Sequence, residues 1–268
     1  MAADEPPRKK RRLPALDDSF DGPKRPTDAP ELHQGRQRSA PHVRGQWPSH
    51  IYLELTPSSG LKKVLRRAYE AAAEAAAPKV SIHSLLPDEG GPSDTRKAPN
   101  EAASADSESL NSKETLRVSL SRPLMPLTNQ RDELRRAVAR VAEQASPFSA
   151  RYASFGMLEN DERTRRFLGV EIGQGYQELQ AVVKSLDKAI KTLRLPAYYD
   201  EPRFHTSIAW TATTSASPPA DGRLPFDDVE LKRLEKELGE SLRTEGGVWV
   251  GELCVKIGKE VSRYALKG

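Results

Sequence analysis

Runs of period-two alternation take turns along this chain with runs of helical period, and some of the strand-like runs are joined by hairpin-length links. "HIYLEL" (His50 to Leu55), "TLRVSLS" (Thr115 to Ser121) and "FHTSIAW" (Phe204 to Trp210) alternate. "VSIHSLL" reads as a second short strand, "FSARYASFGML" and "RRFLGVEI" as a hairpin around "ENDERT", and "VWVGELCVKIG" as a closing strand to which "SRYALK" pairs. Between them, "SSGLKKVLRRAYEAAAEAAA" places Leu61, Val64, Leu65 and Ala68 at helical spacing behind a serine cap. "QRDELRRAVARVAEQA" does the same with Leu134, Val138 and Val141. "GYQELQAVVKSLDKAIKTL" is a third helix, and "DDVELKRLEKELGESL" reads as an amphipathic surface helix. Parallel neighbours need long crossovers, whereas hairpins do not. The order therefore argues for an α+β fold with antiparallel sheet, not a doubly wound parallel one.

Composition sets the limits of the folded part. Residues 1 to about 45 are rich in Pro, Lys, Arg, Asp and Gly without apolar periodicity and are expected to be a disordered tail. Residues 87 to 114, built of Gly, Pro, Ser, Asp, Ala and Asn, read as a disordered insertion. Of 268 residues, about 200 remain to form a core, enough for one larger domain or two small lobes. Cys254 is the single cysteine, which excludes an internal disulfide and a cysteine-based zinc site. No run approaches the ~18 apolar residues of a membrane span, and the start lacks an apolar signal core. The chain reads as soluble and intracellular, with no membrane partner and monomeric by default. No Walker loop, dinucleotide fingerprint or metal-ligand spacing occurs. "PRKKRR", Pro7 to Arg12, reads as a nuclear localisation signal or nucleic-acid arm; a solvated charge run is the plainer account.

Strand alternation sorts the side chains of FHTSIAW. Phe204, Thr206, Ile208 and Trp210 share one mostly apolar face, and Arg203, His205 and Ser207 share the other. A serine that donates a hydrogen bond beside a histidine that moves a proton is a phosphate-handling pair. On this strand alone, a partly exposed histidine next to a neutral serine is the commoner arrangement. In "LRVSLS", however, Leu116, Val118 and Leu120 face one way while Arg117, Ser119 and Ser121 face the other. A long polar residue again precedes a serine by two, so the two segments suggest two similar lobes facing one another.

With "HQGRQRSAPHVRGQWPSHIYLEL", "ETLRVSLSRPL", "NDERTRRFLGVEI" and "YYDEPRFHTSIAW" in that order, the chain from about residue 31 to its end, apart from the 87 to 114 insertion, resembles the U6 snRNA phosphodiesterase family. That family is a branch of the 2H phosphodiesterase superfamily, marked by paired His-x-Ser strands. The resemblance implies two pseudo-symmetric α+β lobes, spanning residues 46 to 268, around a central groove. It implies a nuclear 3′ to 5′ exonuclease that trims the oligo(U) 3′ end of U6 snRNA. The penultimate 2′-hydroxyl attacks the phosphate and leaves a 2′,3′-cyclic phosphate, which some members open. No metal or other cofactor is implied. Carried over to this chain, His205 is the acid/base histidine of the second motif, and Ser119 and Ser207 bind phosphate oxygens. Tyr199, six residues before His205, is the nucleobase-stacking ring; ordinary packing of the Tyr198–Tyr199 pair is the alternative.

The first motif departs from the family. Arg117 stands where a catalytic histidine is expected. A guanidinium stays protonated and cannot cycle a proton, yet it clamps phosphate well. Three readings follow: a weakened enzyme relying on His205 and water, an RNA 3′-end binder without turnover, or a variant residue at 117. An enzyme acting on small cyclic nucleotides or tRNA-splicing products is a more distant alternative. His50 reads as structural, His83 lacks landmarks, and His33 and His42 lie in the tail, solvated or packed along the lobe surface. Arg163, Arg165 and Arg166 form a basic hairpin that either contacts RNA phosphates or is simply solvated, the second being commoner.

Overall fold

The computed structural model describes residues 43–76, 80–86, 115–213 and 224–268. The basic run at Pro7 to Arg12, nearly all of the tail, and the 87 to 114 insertion lie outside the described residues. Nine strands and four helices follow in order among the described residues: β1 (Ser49–Leu55), α1 (Ser59–Ala76), β2 (His83–Ser84), β3 (Leu116–Ser119), α2 (Arg131–Gln144), β4 (Phe148–Glu159), β5 (Arg165–Gln174), α3 (Tyr176–Lys191), β6 (His205–Ala212), α4 (Asp228–Glu245), β7 (Gly247–Val250), β8 (Glu252–Ile257) and β9 (Glu260–Ala265). They form two antiparallel sheets, one ordered β3-β1-β8-β9 and the other β2-β6-β5-β4-β7. The α+β expectation is met.

Local chemistry accounts for the elements. Ser58 Oγ accepts the Leu61 N–H at 3.0 Å and starts α1, whose Leu61, Leu65 and Ala68 are fully buried. Asp227 caps α4 by accepting the Glu230 N–H at 2.9 Å. That helix does more than float on the surface. Leu234, Leu238 and Leu242 are buried, and Arg243 donates to the Ala153 carbonyl at 3.1 Å along β4. It thus covers a stretch of β4 that β7 does not pair.

The chain passes between the sheets repeatedly, and a single hydrophobic cluster runs beneath both. Leu116 and Val118 of β3, Ile208 of β6, Leu253 of β8 and Leu168 of β5 all belong to it. The single closing strand expected at "VWVGELCVKIG" is instead two. Gly251 breaks the run, β7 pairs β4 in one sheet, and β8 pairs β1 and β9 in the other. A side chain at this position would meet the Trp249 ring, its Cβ lying 3.0 Å from the indole nitrogen.

A second correction concerns Trp210. Gly169 pairs Ser207 and the adjacent Leu168 pairs Ala209, so Ile208 is an extra residue in β6. This bulge shifts the alternation. Phe167 and Gly169 project to one side of β5, and their partners are Trp210 and Ser207. Trp210 therefore leaves the Phe204 face and joins that of His205 and Ser207, where its ring stacks on His83 with centroids 4.7 Å apart.

Candidate active site

Strand β3 is the edge of its sheet, and β2 pairs only the far half of β6, at Ala209 and Trp210. The near half of β6 is thus open, and β3 lies against it. A buried side-chain bridge closes the seam. Thr206 Oγ1 donates to the Arg117 carbonyl at 3.1 Å and lies 2.6 Å from the Tyr152 hydroxyl. Since the threonine proton goes to a carbonyl, which only accepts, Tyr152 is the donor in the second bond. Tyr152 and Thr206 are buried, so these bonds satisfy groups that water cannot reach. Burial also pushes the Tyr152 hydroxyl pKa up, keeping it protonated as a donor.

With Leu116, Val118, Thr206 and Ile208 turned inward, Arg117 and Ser119 emerge beside His205 and Ser207 on the same non-core side of the seam. All four are half-buried. Neither serine hydroxyl has a hydrogen-bond partner among the described residues, so both are available to a ligand. Ser121, by contrast, is buried and accepts the Ile51 N–H at 2.9 Å, a structural role.

His205 is oriented by its own strand. Its Nδ1 lies 2.6 Å from the Arg203 carbonyl. That acceptor requires the proton on Nδ1 and leaves the lone pair on Nε2. Burial lowers its pKa below the ordinary histidine value, opposed by the Arg203 carbonyl and by the Glu171 charge. The ring is therefore neutral near pH 7, in the form of a base.

Arg117 is held differently. Its Nη2 lies 3.4 Å from Glu54 Oε1, and its guanidinium sits 4.8 Å from the Tyr52 ring centroid. Glu54, only 7% exposed at its side chain, also accepts from Arg263 Nη2 at 2.7 Å. Burial raises the Tyr52 pKa to about 12. Glu54, Glu252 and Cys254 bring donor atoms within 4.8 Å of one another. However, two arginines occupy Glu54, and burial raises the Cys254 thiol to about 12. The trio is a poor fit for a cation, which needs a free carboxylate and a thiolate.

Tyr199 stands at the Ser119 end of the seam. Its neighbour Tyr198 donates to the Ser119 carbonyl at 3.0 Å and stacks on Phe204. The Tyr199 ring is 43% exposed, has the Arg122 guanidinium 4.9 Å from its centroid, and donates its hydroxyl to Asp161 at 3.0 Å. Arg122 also pairs Asp161 at 2.7 Å, holding that carboxyl below the usual range. His50 stacks on Tyr52, on the polar face of β1. Sequence reasoning missed Glu54 and Tyr52, although the alternation of "HIYLEL" already places both on one face with His50. It also missed Glu171, opposite His205 in the β5–β6 register.

A family model described as "HVSL: Uncharacterised conserved protein" matches residues 12–265. This chain belongs to the HVSL family. Among curated proteins, this HVSL chain is 29% identical over 270 residues to U6 snRNA phosphodiesterase 1 of Neurospora crassa, spanning 90% of this chain and 69% of that one. It is 26% identical over 260 residues to U6 snRNA phosphodiesterase 1 of Drosophila melanogaster, spanning 92% and 83%. Among solved structures, Usb1 of Kluyveromyces marxianus aligns with a TM-score of 0.50 at 15% identity, covering 82% of this HVSL chain and 98% of that protein. The last likeness shows the shared fold.

Proposed function

We propose that this protein is a nuclear, metal-independent RNA phosphodiesterase that trims the oligo(U) 3′ end of U6 snRNA, working as a monomer. The observation that carries the reading is the seam. A hydrogen bond from Thr206 to the Arg117 carbonyl joins the strand of Ser119 to the strand of Ser207 and of a neutral, oriented His205, which supports the reading. The names of the curated relatives support the substrate.

The chemistry follows from the side chains. His205 Nε2 takes the proton of the penultimate 2′-hydroxyl as its oxygen bonds to phosphorus. The bond from phosphorus to the departing 5′-oxygen breaks, and a 2′,3′-cyclic phosphate remains. Ser119 and Ser207 donate to the non-bridging oxygens, and Arg117 offsets their growing charge. Arg117 gives up no proton, so the departing oxygen takes one from water. Tyr199 stacks the terminal base.

Incubation of the protein with 3′-uridylated RNA in EDTA tests this. Shortening that disappears in His205→Ala supports the enzyme. The second reading, an RNA 3′-end binder, is favoured by the hold of Glu54 and Tyr52 on Arg117; tight binding without shortening would establish it. Neither binding nor shortening would overturn both.

A further inference from the structure

The arginines of the β4–β5 hairpin have three different fates. Arg163 sits exposed at the tip with φ 55°. Arg166 faces away from the site and is neutralised by Glu159 at 2.8 Å, while also donating to the Pro225 carbonyl. Arg165 is on the opposite side of the strand. Residues 165, 167, 169 and 171 project together, and their β6 partners are Ala212, Trp210, Ser207 and His205. Arg165 and Phe167 therefore continue the same face as the catalytic pair.

We propose that Arg165 and Phe167 form a subsite for a nucleotide upstream of the scissile phosphate, the ring stacking a base and the guanidinium taking a backbone phosphate. The proposal deepens the RNA reading above and rests on it. No carboxylate pairs with Arg165 among the described residues, and its Nε is buried without an acceptor. Its guanidinium lies 5.6 Å from the Phe167 ring centroid, so cation and ring form one unit. A half-buried cation with an unmatched donor, next to a half-buried ring, suits a ligand that carries both a negative charge and a flat face. Trp210 cannot serve as that platform, because it is 4% exposed and covered by His83. Two residues of strand span about 7 Å, the order of one nucleotide step in an extended backbone. Phe167 is one such step from the Gly169–Ser207 pair, and Arg165 is two.

The test is equilibrium binding of a uridine dinucleotide and a uridine octamer, each with a 2′-deoxy penultimate residue to block cleavage. Phe167→Ala and Arg165→Gln are expected to weaken the octamer about five- to hundredfold and leave the dinucleotide within about twofold, since only the octamer reaches upstream. Arg165→Gln should also flatten the octamer's logarithmic salt slope by about 0.7, one phosphate of single strand, whereas Arg163→Gln should not. Equal losses for both ligands, or no loss, would overturn the subsite while leaving the RNA reading intact. A wild-type protein that binds neither ligand would overturn the RNA reading and the subsite together.

Discussion

Strands β3 and β6 carry the same short pattern, a long polar residue two before a serine, and each has a glutamate opposite that residue on the neighbouring strand. Glu54 pairs in register with Arg117, and Glu171 with His205. Each glutamate also meets an arginine from elsewhere: Arg263 binds Glu54, and Arg203 binds Glu171. The surroundings are alike, but the tips are not. On β6 Arg203 occupies the glutamate, and a backbone carbonyl sets the imidazole. On β3 the residue at the tip is itself an arginine, so Glu54 is shared between two guanidinium groups. The difference teaches that the same arrangement, a glutamate opposite the tip with an arginine on its other side, accommodates an imidazole on β6 and a fixed cation on β3. On the proposed reading, the seam then keeps the groups that bind phosphate and loses half of its proton traffic.

The largest expected effect lies on the β6 side. His205→Ala should lower the trimming rate by ~10²–10⁴-fold, the usual contribution of one general base, read as initial rates on 3′-uridylated RNA. Because burial depresses the His205 pKa, its base form persists to lower pH than an ordinary histidine would allow. The wild-type rate should rise with pH through that depressed value and then stay flat, since no second group titrates. An unchanged rate in His205→Ala would remove β6 from the chemistry and end the comparison.

Next is the repair of β3. Arg117→His places an imidazole opposite Glu54, which Arg263 still holds in place. The nearby carboxylate favours the charged imidazolium, the form that can protonate a departing oxygen. The rate should rise by at least about tenfold, within the range for one general acid. The pH profile should gain a falling limb and become bell-shaped. A faster enzyme whose profile stays flat at high pH would mean that removing Arg117 mattered more than adding an acid.

How far these contrasts were readable in the sequence depends on the range of the forces involved. Alternation identified the inward and outward faces of "LRVSLS" and most of "FHTSIAW", because a half-buried strand writes its burial into every second residue. It failed at Trp210, where the extra residue Ile208 leaves no local mark and only the pairing with β5 reveals the shift. It failed again at Gly251, where one strand-like run serves two sheets. Arg117 was visible as a departure from the family motif. Its hold by Glu54 was not, because the two residues are distant in sequence and meet only through β1–β3 registration. The Thr206 bridge was equally hidden, since nothing in the strand tells an inward threonine from an inward valine.

That bridge supplies a third, smaller test, this time of whether the strands act as a pair. Thr206→Val leaves the Tyr152 hydroxyl and the Arg117 carbonyl without their partner in the core. Leaving buried polar groups unsatisfied costs about 1–3 kcal/mol, measurable as a lower urea midpoint with an unchanged slope. If the bridge also sets the alignment of the two tips, trimming should fall under conditions where the variant is still fully folded. Loss of stability alone would confine the bridge to packing.

The smallest effect concerns the aromatic residue that the β3 end of the seam displays and that can be dissected atom by atom. Tyr199→Phe removes only the hydroxyl donated to Asp161 and keeps the ring under Arg122, which Asp161 still binds. Exposed ion pairs and their neighbouring bonds contribute about 0–1 kcal/mol, so RNA affinity should change by less than about fivefold. Tyr199→Ala, which removes the ring, should lose the ~1–3 kcal/mol of a base stack. The gap between the two variants in a titration with oligo(U) measures the stack itself. If Phe and Ala weaken binding equally, the Asp161 bond rather than the ring face is what RNA requires, and Tyr199 would contribute by holding the β4–β5 turn instead of by its aromatic surface.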